Sequence, residues 1–492
     1  MAALRLTMAP MVPMATYTCG LILLIGVMFA GGCRKDGESG ETAAKPNIIF
    51  ITLESIRTDH VGHFGYDRDT TPALDELGSQ GLTFTQANAV TSWTLPSHAS
   101  MFTGLYPLAH QVVTIRDRLD DDYTTVAELL RDSGYQTAGF ISGPFLRKVH
   151  NLQQGFETYD DSFANMDHWA SHEDITNPGM EKALTAFLRK DRNPNKPFFL
   201  FLYFWDPHFD YIPPSPYDKM FVPSDAVPID VRRYEHQTVV NKNVSKAQLA
   251  YVVSQYDGEI RCTDAVLGRL WSLLKKLDLW DTTAVIVTAD HGEDFFERGK
   301  KGHKNDIFAQ SVRVPLVIKP PGHTKPRRDE RVTSLVDLFP TICDLAGVVS
   351  AGSTHGRSLL QAAPGSPRTI YFELDALMYM THPDTGKSWT EADRWRGVRR
   401  GRYKLVSIPE KDRWALFDVQ ADPTEMHPLG PDHAGTMAEL RTLQEQYGRD
   451  MRAVAARIGK PRPADLNEEE LRRLESLGYI DRRKSNDADD DH

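Results

Sequence analysis

Three apolar runs in this chain stop abruptly at carboxylates and histidines, the residue types that serve as ligands. Asn47 opens a run from Ile48 to Leu53, and Glu54 follows it. A second run begins at Phe199 and ends at Asp206 and His208. A third begins at Ala284 and ends at the pair Asp290-His291. Such runs lack the alternating polar positions of a half-solvated strand, so they predict strands buried on both faces, as in a parallel sheet covered by helices. Open sheets of that kind place their ligands beyond the C-terminal ends of the strands, where these polar residues fall.

The rest of the chain fits that plan. Further parallel strands are predicted at Thr137–Ile141 and Leu316–Ile318, within an alternation of strands and helices. Helices are expected over Thr71–Gln80, with Pro72 at its first position, over Thr124–Ser133 and over Ala247–Leu277. After Gly347 the pattern shifts to short strands at Ile370–Leu374, Trp395–Val398, Tyr403–Ser407 and Trp414–Val419, which predicts a small antiparallel sheet. Met437, Leu440, Leu443, Tyr447, Met451 and Val454 recur at helical spacing. Asn467 with Glu470 forms a capping box, with Gly478 as the stop. The fold class is α/β, a mainly parallel sheet between helices, followed by a small C-terminal antiparallel subdomain.

One further segment carries the chemistry: TLPSHASMFTG, Thr94 to Gly104. It resembles the nucleophile segment of the sulfatase family in the alkaline-phosphatase superfamily, a C-x-P-S-R pattern whose first residue becomes a formylglycine. Here Thr94 stands at that residue and His98 at the Arg. A threonine β-carbon already carries a methyl group, so Thr94 is expected to act as a plain alkoxide nucleophile. The three strand ends resemble the family's first metal carboxylate, its D-P-H-x-x-Y histidine motif and its second metal pair. Alone, each residue reads as a helix cap, a turn or a satisfied histidine. Four motifs in family order, over Pro46 to Ile480, reverse that reading.

The resemblance implies a divalent metal held by Glu54, Thr94, Asp290 and His291, with His208 and His303 contacting the transferred group or protonating the leaving oxygen. His98 replaces a bidentate Arg by a smaller, titratable donor. Arylsulfatases carry two adjacent Asp where this chain has Glu54-Ser55, and Asn where it has His291. Gaining an imidazole at the expense of a carboxylate favours Mn²⁺ or Zn²⁺, with Ca²⁺ as the alternative. The activity implied is hydrolysis of sulfate esters or, given Thr94, of phosphate or phosphonate esters in a small molecule, glycan or lipid. The alternatives are a phosphoethanolamine- or phosphoglycerol-type transferase, and a non-catalytic binding lipoprotein on a degenerate sulfatase scaffold.

The net charge of −10 argues against non-specific nucleic-acid binding. Leu21 to Ala30 is an apolar run that ends in Ala30-Gly31-Gly32-Cys33. It resembles a bacterial lipoprotein signal with Cys33 as the lipidated residue; an uncleaved N-terminal anchor is the other reading. Both place the enzyme outside the cytoplasm, tethered to a membrane. Cys262 and Cys343 are expected as buried free thiols. The expected organisation is signal or anchor 1–33, linker 34–45, catalytic domain 46–347, antiparallel subdomain 348–430, helical tail 431–480 and a disordered acidic tail 481–492.

Overall fold

The central strand, β1 (Asn47–Leu53), is hydrogen-bonded on both sides, and that placement organises the molecule. The computed structural model describes residues 45–164, 176–232, 234, 239–322, 324–349, 354–361, 367–375, 393–459 and 462–476, with side chains as far as 472. The N-terminal signal or anchor with Cys33, the linker up to 44, Gly478 and the acidic tail lie outside them. Among the described residues, no helix is long and apolar enough to cross a membrane.

The strands in chain order are β1, β2 (Leu82–Asn88), β3 (Gln136–Ile141), β4 (Thr158–Asp160), β5 (Phe198–Phe204), β6 (Thr283–Ala289), β7 (Asp294–Phe295), β8 (Lys301–Gly302), β9 (Leu316–Lys319) and β10 (Arg327–Ser334). A second group follows, with β11 (Thr369–Asp375), β12 (Arg394–Arg400), β13 (Tyr403–Ile408) and β14 (Arg413–Asp418). The main sheet has eight strands in the order β10-β2-β9-β6-β1-β5-β3-β4, and β11 to β14 form a four-stranded antiparallel sheet. β7 and β8 make a separate hairpin.

Register does the decisive work. Leu53 pairs in parallel with Phe204 on one side and with Ala289 on the other. The next residues along these strands, Glu54, Trp205 and Asp290, therefore emerge side by side at one edge of the sheet. Every residue of β5 and β6 is buried, as the unbroken apolar runs require. The crossover from β5 to β6 contains the long helix Lys246–Lys276, opened by a Ser245–Gln248 capping box. Asp264 on that helix accepts the backbone N–H groups of Ala73 (2.8 Å) and Leu74 (2.9 Å), capping helix Pro72–Gly78 from outside.

β9 corrects one expectation. It runs antiparallel to both β6 and β2. Between β6 and β9 the chain builds the β7–β8 hairpin and the short helix Ala309–Val312, with no long crossover helix to carry it along the sheet to the opposite edge. It re-enters from the edge it left, so the strand runs back. β2 and β10 were not expected. β10, RRDERVTS, is an edge strand whose charges give it the composition of a loop.

The C-terminal sheet carries helix Ala434–Ile458, with Leu440 packed on Val398, Leu405 and Leu416. Tyr447 of that helix stacks on Tyr371 at 3.8 Å. A polar clamp ties this sheet to the loops of the main sheet. Lys404 Nζ donates to Ile307 O (2.7 Å) and to Glu425 (2.9 Å), and Arg298 donates to Glu425 O while lying over the Phe308 ring. Cys262 and Cys343 are buried free thiols.

Several histidines are buried as neutral groups. Burial pushes His110 down to about 3 and His150 down to about 4. His110 Nδ1 accepts Val112 N–H and its Nε2 meets Ser100 Oγ at 2.9 Å. The unfolded chain takes up these protons near pH 6.5, whereas the folded chain resists them. Their contribution is thus complete above about 6.5 and is lost as pH falls toward 4, by roughly 1–3 kcal/mol per histidine. Thermal unfolding followed from pH 7 to 4 should show a steep fall in midpoint, and His110→Gln should flatten it. Parallel pH profiles for the two proteins would contradict this account.

Candidate active site

Helix Thr94–Thr103 is buried along its whole length. Trp93 is its N-cap in extended conformation, and Gly104 ends it in the left-handed region at φ 69°. A Cβ on Gly104 would also lie 3.0 Å from Thr354 and 3.1 Å from Phe339. Thr94, at the helix start, is directed at the ends of β1 and β6. Its hydroxyl lies 3.3 Å from Glu54 Oε2, 3.5 Å from Glu54 Oε1 and 3.3 Å from His291 Nε2.

The strand ends are held firmly. Ser55 adopts a left-handed backbone at φ 55°, a conformation that costs a non-glycine residue about 1–2 kcal/mol. It turns its N–H to Asp290 Oδ1 (3.1 Å), and its hydroxyl donates to Glu54 Oε1 (2.8 Å). Tyr203, on β5, donates its hydroxyl to Glu54 Oε2. His291 donates its backbone N–H to Asp290 Oδ1 (2.9 Å). Its ring Nδ1 meets Gly292 O at 2.8 Å, and because a carbonyl can only accept, Nδ1 bears the proton. Nε2 then faces Glu54 Oε1 at 3.1 Å and Asp290 Oδ2 at 3.5 Å.

This donor set fits a divalent cation. Asp290 Oδ2 is buried and has no hydrogen-bond partner, a costly state for a carboxylate oxygen. Burial, and then the charge of Glu54, push Asp290 well above the usual carboxylate range. Burial would raise Glu54 too, but His291 beside it holds it below that range. His291 is pulled the other way: burial lowers it, yet Asp290 and Glu54 lift it to about 9. A protonated His291 imidazole partly balances these two carboxylates, and a metal ion would take over that task. Glu54, His291 and His303 also offer ligand atoms within 4.8 Å of one another.

The histidines foreseen from sequence fall in different places. His303 joins the cluster, 4.5 Å from His291 between ring centroids; burial first, then the charges of His291, Lys304 and His208, hold it well below its ordinary value. His208 stacks on Trp205 at 3.7 Å and stands 5.1 Å from His303. His98 belongs to helix Thr94–Thr103 itself, one turn after Thr94. Its Nδ1 donates to Thr94 O and its Nε2 accepts from the Thr52 hydroxyl, both at 2.8 Å. Burial pushes it down to about 4, so it is neutral and supports the helix instead of presenting charge to a ligand. Asp206 caps helix Asn177–Ala186 through Asn177 N–H (2.6 Å).

Sequence reasoning passed over Tyr203, Tyr211, Glu293 and Lys304. Tyr203 was signalled by a lone hydroxyl in an otherwise hydrocarbon strand, and Glu293 by the acid in D-H-G-E. Lys304 is buried next to His303.

Residues 46–348 match the family model described as Sulfatase, and residues 301–449 match N-sulphoglucosamine sulphohydrolase, C-terminal. The chain belongs to the sulfatase family. It is 26% identical over 483 residues to the multifunctional alkaline phosphatase superfamily protein PehA of Trinickia caryophylli, covering 79% of this chain and 92% of that protein. It is 25% identical over 459 residues to arylsulfatase K of Gallus gallus, covering 82% of each. The phosphonate monoester hydrolase of Agrobacterium radiobacter shares the fold, with a TM-score of 0.65 at 24% identity over 86% of this chain and 99% of that one. Like other sulfatases, this chain is an ester hydrolase.

Tyr203 should tune this centre without touching a substrate. Tyr203→Phe removes the hydroxyl that holds Glu54 and should weaken divalent-metal affinity by about 10–100-fold. Glu54→Gln should abolish stoichiometric metal, read by elemental analysis of protein purified without chelator. Unchanged metal content in Glu54→Gln would contradict the assignment.

Proposed function

We propose that this sulfatase hydrolyses phosphate or phosphonate esters with Thr94 as its covalent nucleophile. The observation that carries the reading is the Thr94 hydroxyl, buried at a helix start within 3.3 Å of both Glu54 and His291. Glu54, Asp290 and His291 would hold a divalent cation, with Mn²⁺ or Zn²⁺ favoured over Ca²⁺ because an imidazole is in the set. When bound, such an ion supplies Lewis acidity that eases ionisation of the Thr94 hydroxyl and counters charge on the ester.

The chain's own groups do the rest. Thr94 passes its hydroxyl proton to Glu54, 3.3 Å away, as Oγ1 forms a bond to phosphorus; the bond to the leaving oxygen breaks, and that oxygen takes a proton from His208. Water, oriented by His303, then attacks the Thr94 ester; phosphate or phosphonate leaves, Thr94 Oγ1 takes back the proton from Glu54, and the proton lost from water restores His208. The start of helix Thr94–Thr103 adds the positive end of its dipole beside the transferred group. Sulfate esters are the second reading, favoured by the likeness to arylsulfatase K and by the sulphohydrolase C-terminal match. The substrate class is a small-molecule, glycan or lipid ester, and the N-terminal segment supports an extracytoplasmic, membrane-tethered enzyme.

Purified protein assayed on aryl sulfate, phosphate monoester, phosphodiester and phosphonate esters should turn over a phosphorus ester fastest. Thr94→Ala should lower that rate by about 10³-fold or more. Thr94→Cys with a co-expressed formylglycine-generating enzyme should gain activity on aryl sulfate. Full activity of Thr94→Ala on every ester the wild type cleaves would remove Thr94 from the mechanism.

A further inference from the structure

Glu293 sits two residues beyond His291, fully buried, where the chain turns toward the β7–β8 hairpin. Its backbone is fixed on both sides: its N–H donates to Gln310 O (3.1 Å), and its carbonyl accepts from Arg57 (3.1 Å). Its carboxylate spans two side chains. Oε2 accepts from the Tyr211 hydroxyl at 2.7 Å, and Oε1 lies 3.3 Å from His303 Nδ1. The imidazole of His303 is held by Phe209 at 5.1 Å, His208 at 5.1 Å and His291 at 4.5 Å between ring centroids. Its other nitrogen, Nε2, is buried and has no hydrogen-bond partner. One ring nitrogen therefore faces a carboxylate, and the other is orphaned beside His291 and His208.

We propose that Glu293, itself held by Tyr211, is a positioning residue that fixes His303 as the Nδ1-protonated form and turns the Nε2 lone pair into the site. Burial raises Glu293 above the usual carboxylate range, while the Tyr211 hydroxyl and the charge of His291 favour its ionised form; as a carboxylate it only accepts, so the nitrogen facing it carries the proton. Nε2 is then an acceptor, able to orient the O–H of the water or alcohol that enters. A buried carboxylate behind an imidazole selects its tautomer, and an amide in its place selects the wrong one. The Tyr211 hydroxyl sharpens that contrast. With glutamine at 293, the carbonyl turns to Tyr211 and the amide N–H₂ turns to His303, where it needs an acceptor.

The role in turnover rests on the ester-hydrolase mechanism above, but the tautomer does not, so the two fail separately. The full-length protein labelled with ¹⁵N-histidine reports the tautomer by long-range ¹H–¹⁵N spectra, with His303→Gln to assign the signal. Wild type should show His303 protonated at Nδ1. Glu293→Gln should show it protonated at Nε2, with kcat lowered on the order of 10²–10⁴-fold and KM changed less than about threefold. Glu293→Asp should restore Nδ1 protonation and part of kcat. Wild-type His303 protonated at Nε2 would overturn the proposal, and this arm needs no variant to fold. Nδ1 protonation retained in Glu293→Gln would also overturn it, as would a switched tautomer with unchanged kcat. A wild type inactive on every ester would sink the mechanism while leaving the tautomer assignment standing.

Discussion

Two carboxylates buried at the ends of neighbouring strands govern this structure. Glu54 ends β1, Asp290 ends β6, and both reach within 3.5 Å of one imidazole nitrogen. Removing such charges from water costs several kcal/mol each, and placing like charges together adds to it. The fold answers with oriented donors. The Ser55 and His291 N–H groups hold one oxygen of Asp290, and the Ser55 and Tyr203 hydroxyls hold Glu54. Every one of those donors is fixed by a strand or its immediate continuation. What remains is one orphaned Asp290 oxygen, a hydroxyl and a set of imidazoles, a donor set that suits a cation.

The support is layered. One helical turn from Thr94 lies a neutral histidine, His98, pinned between Thr52 and the carbonyl of Thr94 itself. An imidazole kept uncharged by burial can bridge a strand and a helix without adding to the charge above it. That explains physically why a site already rich in ionisable groups tolerates one more ring so close by. A guanidinium, which stays charged, could not be buried neutral there.

Legibility from sequence followed the strength of the local pattern. β1, β5 and β6 were plain because unbroken hydrocarbon has few alternatives to a doubly covered strand, and their register then carried Glu54, Asp290 and His291 into one place. β9 was legible as a strand but not in direction, since direction depends on how the chain returns and not on its own residues. β10 was invisible because an edge strand needs no apolar face. Among site residues, Tyr203 and Glu293 escaped because each works through another side chain, so only three-dimensional contact distinguishes them from packing. His98 was conspicuous in sequence, yet its burial, unreadable from one chain, decides what it does.

The clamp between the two sheets bears on how such chains can be recombined. Lys404 and Glu425 belong to the C-terminal part of the chain, yet they grip Ile307 and Arg298 on the loop that carries His303. A chimaera joined at the apparent boundary near residue 347 would keep the Lys404–Glu425 pair together but would part it from Arg298 and from the path of the chain at Ile307. Exchangeable modules in this protein are therefore bounded by the path of a loop: a donor C-terminal sheet must arrive together with the segment whose carbonyl and arginine it holds.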